Sequence, residues 1–413
     1  MRLYKQEIKR LLITTRVKVI FVMAIVLSIT LALLAAEFSD ARVQNNDGTF
    51  MWLHGKDSIK YIEEVSSAGN GEVTVEKLKN SLKQYQDLYH EYEMDPLGEG
   101  FPLDVYWNQV NPIRAQLRLL EQAYGTNTMN ADLMTLSQSD LDNFYERCSL
   151  RLTMAMESDD VLNNEEYIAK AQSLYEKVDK PFIVSRGYTR DAFDYIEITI
   201  LMLVLLAAVM VAPVFSERYS SGEDSIIRCT EFGRGKLLRT TLLAVITISS
   251  IMYMIGIVAH LLVSYAIFGT ETLKESVQVL FSAYSLPSMN LFDLQITLAL
   301  TGWLCCIAVT VMAACISSIV SESSTSVVMA IIVVFLPSII YSGMGMSNWF
   351  LALFPSASVG LANNMLYSLM DLRFLSLGGK VIWYPAALVI VDIIEIVLFG
   401  VISRFGYIRH QVR

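Results

Sequence analysis

Two carboxylates, Asp392 and Glu395, stand three residues apart inside an otherwise apolar run near the C-terminus. That spacing places both on one face of a helix. A charge in hydrocarbon costs several kcal/mol unless it is paired, protonated or hydrated. The chemistry open to this pair is to line a translocation path, bind a cation or exchange protons. The structural alternative is a neutral carboxyl bonded to a neighbouring helix. His260, in the middle of another apolar run, is the candidate partner, with a packed neutral histidine as its plain alternative. Nothing else reads as a catalytic centre. The five cysteines, Cys148, Cys229, Cys305, Cys306 and Cys315, show no metal-ligand spacing. There is no HExxH or GxSxG. There is also no G-x4-GK[ST], and Gly378-Gly379-Lys380 lacks the upstream glycine and the following hydroxyl of a phosphate cradle. No catalytic residue, metal ligand or cofactor is therefore assigned to this chain, and it reads as a non-enzyme.

A second constellation lies at residues 215–240, FSERYSSGEDSIIRCTEFGRGKLLRT. Ser221 is placed to cap a short helix, with Glu223 and Asp224 in a first turn where the helix dipole favours acids. Ile226 and Ile227 give that helix an apolar side, and Gly233 and Gly235 are placed to end it. The helix expected over 222–232 is short, capped and polar at both ends, as suits a segment pressed between a soluble partner and membrane helices. A plain basic inner loop is its alternative.

The elements that position these residues are membrane spans. Hydrophobic residues make up 54% of the chain and charged residues 18%, with a mean hydropathy of +0.44. A soluble domain carries about 25% charged residues. A bilayer core is crossed by about 20 apolar residues in a helix. Six stretches fit, at about 17–36, 195–215, 240–268, 291–319, 325–342 and 381–403. The first reads as a retained anchor, because its apolar run is longer than a signal peptide's. Arg and Lys gather before the first span, between the second and third, and after the sixth. By the positive-inside rule both termini are cytoplasmic in a multi-pass cytoplasmic (plasma) membrane protein, and residues 37–190 are extracellular. The leader, 1–16, is amphipathic, with Tyr4, Ile8, Leu11 and Leu12 on one face.

The insert at 37–190 holds 26 acidic and 15 basic residues and so accounts for the whole net charge of −9. That balance argues against nucleic acid as a partner. It is long enough for its own core. Apolar residues recur at helical spacing over 75–92, 113–124, 140–156 and 164–178, and no alternating strand is evident. The acidity suits either a solvated outer surface or attraction of a cationic ligand. The fold class expected is thus an all-α polytopic membrane protein: six transmembrane helices plus a mainly helical extracellular domain, with residues 191–413 forming a five-helix membrane part.

Residues Glu217, Gly222, Glu223, Thr230, Gly233, Arg234 and Arg239 follow the order E-x4-G, acidic and aliphatic residues, T-x2-GR, then a basic span start. This resembles the permease subunits of ATP-binding-cassette (ABC) transporters of the type-2 exporter class, with a large insert after the first span. The resemblance covers most of the chain outside 37–190. It implies that 216–239 is the cytoplasmic coupling segment, with Glu217, Gly222, Glu223, Asp224, Ile226, Ile227, Thr230, Gly233 and Arg234 docking on a separate ABC ATPase. Two ATPase copies would carry ATP and Mg, and a second permease, identical or related, would complete a dimer in the lipid bilayer. Residues 344–380, with Phe354-Pro355 through Gly360, would form an outer re-entrant segment. The expected cargo is amphipathic, peptide-like or lipid-like, or a cation such as sodium, moved outward. The rival class is a non-transport membrane sensor, scaffold or channel with an extracellular ligand-binding domain.

Overall fold

Hydrocarbon offers no partner to a backbone N–H or C=O, so long apolar segments satisfy their own as helices. The computed structural model describes residues 2–44, 49–93, 100–126, 129–230, 233, 235–344, 349–361 and 364–409. It has six helices long and apolar enough to cross a membrane. They are α2 (Thr15–Glu37), α8 (Arg190–Val211), α11 (Gly235–Phe268), α12 (Leu291–Ile319), α13 (Ser323–Met344) and α15 (Tyr384–Arg409). The remaining labelled helices are α1 (Arg2–Ile13), α3 (Gly55–Ser66), α4 (Val75–Glu91), α5 (Arg114–Tyr124), α6 (Phe144–Glu157), α7 (Glu165–Tyr175), α9 (Ser216–Ser220), α10 (Glu223–Arg228) and α14 (Met365–Met370).

Helix α8 is the hub of the bundle and is buried along most of its length, while α13 and α15 present most of theirs outward. It packs on α2, α11, α12 and α13. Close approach is bought by small residues. A Cβ on Gly302 of α12 would fall 2.5 Å from Ile200 Cγ2 and 2.5 Å from the Tyr253 hydroxyl. A Cβ on Gly256 of α11 would fall 2.5 Å from Leu203 Cδ2. The leader packs along α11, where the Tyr4 and Thr247 hydroxyls are 2.7 Å apart. Leu11 is buried there, whereas Leu12 is exposed and leaves the face expected of it.

Between α2 and α8 the chain builds a second core from α4 to α7, around Leu78, Leu82, Leu117, Phe144, Leu152 and Phe182. Helix α4 opens on Thr74, whose hydroxyl accepts from Lys77 N, and α7 on Asn164, whose side chain accepts from Glu166 N. The region is mainly helical but not all-α. Strands β1 (Asp40–Gln44) and β2 (Phe50–His54) pair antiparallel from Asp40↔His54 to Gln44↔Phe50. Strands β3 (Gly71–Glu72) and β4 (Ile183–Val184) close its base. A further hairpin, β5 (Phe374–Leu377) and β6 (Lys380–Trp383), precedes α15 and takes the place of the start expected for the sixth span at 381. These strands are short, and only alternate residues face a neighbour, so their pattern is faint.

The insert does not complete its core alone. Val279, Ala283 and Leu286, from the segment between α11 and α12, and Phe374 of β5 are part of it. The Tyr175 hydroxyl donates to Ala283 O at 2.8 Å, and Ser276 and Ile183 exchange hydrogen bonds of 2.9 Å. Buried Glu275 accepts from Ser185 N at 2.9 Å. Burial pushes its carboxyl up to about 7, against the pull of that hydrogen bond and of Arg186 and Arg118.

Gly302→Leu should open the α8–α12 seam and cost about 1–3 kcal/mol, the usual toll of overpacking. Gly400→Leu, where a Cβ meets nothing within 4 Å, should leave the thermal midpoint in detergent unchanged. The folded protein also holds the Glu275 proton more tightly than an unfolded chain with a pKa of 4.5. Stability should therefore fall as pH rises from about 4.5 to about 7 and level off above, by about 3 kcal/mol at 1.36 kcal/mol per unit. Unfolding of Glu275→Gln across that range should lose this slope.

Candidate functional site

The strongest candidate is the short helical pair at the end of the bundle opposite the insert. Helix α9 follows α8 directly, where Ser317 Oγ accepts from the backbone N–H groups of Phe215 at 3.0 Å and Ser216 at 3.1 Å. Arg218 is 2% exposed, and its Nη2 donates to both oxygens of buried Glu7, at 2.9 and 2.7 Å. Thr241 Oγ1 donates to the same carboxylate at 3.2 Å, and Arg10 lies 3.2 Å from it. Burial and the like charge of Arg218 lower the Arg10 pKa. Nearer solvent, Arg16 reaches Glu217 at 3.4 Å. The leader, α9 and α11 are thus tied by one buried carboxylate.

Gly222 turns the chain between α9 and α10 with φ +75°, a left-handed conformation that glycine adopts without steric cost. Here the structure departs from expectation. The N-cap is Gly222, not Ser221, whose hydroxyl instead donates back to Arg218 O at 3.3 Å. The helix also ends early, at Arg228 rather than 232. Gly235 does not stop it but begins α11. Gly233 is needed for another reason: a Cβ there would land 1.8 Å from Ile227 O.

Helix α10 has two faces. Asp224 and Arg228 form a buried ion pair turned toward α15. Arg228 Nη2 donates to Tyr407 O at 2.7 Å, and its guanidinium sits 4.6 Å from the centre of the Tyr407 ring. The Tyr407 hydroxyl lies 3.1 Å from Gly233 O and 3.4 Å from Asp224 Oδ1, and its one proton serves one of them at a time. Asp224, expected at a docking face, is therefore an internal anchor. The other face carries Glu223, Cys229, Thr230 and Ile226, which is 73% exposed, with Ile227 half-buried between the two. Thr230 Oγ1 donates to Ile227 O at 2.7 Å and closes the last turn. Arg234 lies outside the described residues.

Asp392 and Glu395 do share a face of α15, and both are buried, at 2% and 4% exposure. Ser358 Oγ donates to Asp392 Oδ2 at 3.4 Å, while Glu395 Oε2 has no hydrogen-bond partner among the described residues. Ser358 belongs to a segment that folds into the bundle. Ser356 Oγ donates to Val334 O at 2.7 Å, and Cys305 Sγ to Pro355 O at 3.2 Å. His260 is placed elsewhere. It meets Thr199 Oγ1 of α8 through Nδ1 at 2.9 Å, so it is not the partner of the two acids.

Sequence reasoning missed Glu197, a buried acid of α8 that accepts from Leu366 N at 2.9 Å. Asp194, one turn earlier, accepts from the Tyr367 hydroxyl at 3.0 Å beside a cavity of about 180 Å³. Their i, i+3 spacing repeats that of Asp392 and Glu395 and was available as a signal. Glu7 was missed too, although it is the lone acid in a basic leader. Among the described residues no three His, Cys, Asp or Glu side chains converge as metal ligands.

Six apolar helices, two polar clusters within the bundle and a clamped helical pair at one end make this a multi-pass helical membrane protein. No protein-family model matches the chain, and no curated protein does either.

Arg218→Met leaves the buried Glu7 carboxylate with only Arg10 and Thr241 to answer it, which should cost up to about 3 kcal/mol, the low end for breaking a buried pair. Joining it to Glu7→Met should recover most of that loss, and a double-mutant cycle of unfolding in detergent measures the difference.

Proposed function

We propose that this chain is the membrane-spanning permease subunit of an ATP-driven ABC exporter, powered by a separate ATPase that docks on α10. The observation that carries this reading is the two-faced α10. One face is pinned to the sixth span through Asp224, Arg228 and Tyr407. The other offers an exposed isoleucine and a glutamate. A soluble partner pressing on Ile226 would move α15 directly, and the leader and α11 through Arg218 and Glu7. That is the mechanical requirement for coupling ATP-driven closure to a rearrangement of spans. Lys and Arg placement puts this end in the cytoplasm and residues 37–190 outside the cell.

Two ATPase copies would hold ATP and Mg, and a second permease would complete the transporter. The cargo class is amphipathic. Asp392, Glu395 and the pair Asp194 and Glu197 are the polar groups within the bundle that a translocation path would use.

A pull-down of the tagged full-length chain from mild detergent, with ATPase activity read on the eluate, tests the docking face. Ile226→Asp with Glu223→Lys should lose a co-purifying ATPase while keeping the wild-type unfolding midpoint. Asp224→Asn should instead lower the midpoint, because it removes the buried carboxylate that answers the charge of Arg228. Failure of any ATPase to co-elute with the wild-type chain across several detergents would overturn the exporter reading in favour of a sensor or channel.

A further inference from the structure

Although the insert is acidic as a whole, the cavity where it meets the bundle has the opposite charge. A polar cavity of about 420 Å³ lies between α5, α6, the start of α8 and the segment 281–284. Arg118, Arg151 and Arg190 all line it. Three donors, Arg118 Nη2, Gln122 Nε2 and Arg190 Nη2, converge on one neutral acceptor, Phe281 O, each at 3.4 Å. That is beyond the 2.7–3.2 Å of a good N–H···O bond. A guanidinium has five N–H groups to place. Among the described residues neither Arg118 nor Arg190 forms a salt bridge. One acid, Glu121, also lines the cavity, but it is paired with Arg114 at 2.6 Å, while Asp194 and Glu275 act on Arg190 and Arg118 only through space and take their hydrogen bonds from Tyr367 and Ser185 N. Burial and then the charges of Arg190, Arg114 and Arg186 lower the Arg118 pKa, against a smaller opposing pull from Glu275.

A second cavity, of about 690 Å³, adjoins the first and shares Arg190, Phe281, Ser282 and Tyr284 with it. Its wall adds Ala155, Val161, Leu162, Met370 and Leu372, together with Asp159, Asp371 and Arg373. A basic polar compartment thus opens beside one whose wall is mixed, with an aliphatic stretch at Val161, Leu162, Met370 and Leu372.

We propose that this junction binds an anionic amphiphile, its phosphate-like head held by Arg118 and Arg190 and its apolar part laid along Val161, Leu162 and Leu372. Arginine suits the head because its planar fork meets two oxygens of a phosphate at once. The site commits the cargo or regulator to negative charge, whereas the acidity of the insert as a whole suited either a solvated outer surface or a cationic ligand. It does not rest on the exporter reading, since binding is measured with no ATPase present.

The test is equilibrium binding to the full chain in neutral maltoside micelles, with micelles alone as blank. The probes are dodecyl phosphate, inorganic phosphate and dodecyltrimethylammonium. Dodecyl phosphate should bind saturably, inorganic phosphate should compete at higher concentration, and the cationic amphiphile should not compete. Arg118→Gln and Arg190→Gln should each weaken dodecyl phosphate about tenfold, the scale of one charge-assisted contact. Binding of inorganic phosphate without dodecyl phosphate would overturn the amphiphile and leave a free anion. Equal binding of the cation, or unchanged affinity in variants that keep the wild-type unfolding midpoint, would overturn the site. Should a glutamine variant fail to fold, Arg118→Lys and the salt dependence of the wild type decide: affinity independent of NaCl would overturn the proposal.

Discussion

A charge inside this bundle can persist only where another group answers it, because no water is at hand to do so. That constraint organises the end of the molecule opposite the insert. Glu7 is answered by Arg218, Arg10 and Thr241, and Asp224 by Arg228. The bonds of Glu7 to Arg218 and Thr241, and of Arg228 to Tyr407 O, join segments far apart in the chain, so satisfying these groups also fixes which helices are neighbours. A buried ion pair is weak evidence of stability in itself, since its desolvation offsets much of its attraction. What it supplies here is uniqueness of arrangement. The leader's acid is neutralised where Arg218 of α9 and Thr241 of α11 come together.

At the other end the constraint is shape. The insert takes residues from two other segments into its core, so it is not a bead hung on the first two spans. The Tyr175–Ala283 bond and the Ser276–Ile183 pair tie it to the stretch between α11 and α12. Hairpin β5–β6, leading into α15, touches it through Phe374 and Tyr167, whose ring centres are 5.7 Å apart. The entry to the sixth span therefore meets the insert, and its exit meets α10.

Much of this was legible in the sequence. The fourth span matches its reading at both ends, and the others agree within a few residues or, for the second, third and sixth, within about one turn or two. Composition and period suffice there, because lipid imposes a length and an apolar surface. The helices at 75–91 and 114–124 were legible for the same reason. The hairpins were not, since strands of two to five residues leave little pattern. Asp224 and Glu223 stand side by side in a first turn, and nothing local says which turns inward. Tyr407, 183 residues away, decides it. The arginines at the junction were hidden likewise, because Arg118 and Phe281 are 163 residues apart. Sequence shows which residues are polar, while the partner that makes a polar residue tolerable is set by the tertiary fold.

The bond from Arg228 to Tyr407 spans 179 residues of chain. At a synthesis rate of roughly 5–20 residues per second, α10 emerges ~10–40 s before the helix that anchors it. Through that interval Asp224 and Arg228 lack Tyr407, and the short helix lacks its seat on α15. Its outer face thus acquires a fixed direction last of all, when the sixth span is inserted. A chain stalled after five spans would present Ile226 on a tether instead of a rigid strut, and the two states would differ in what they could push against.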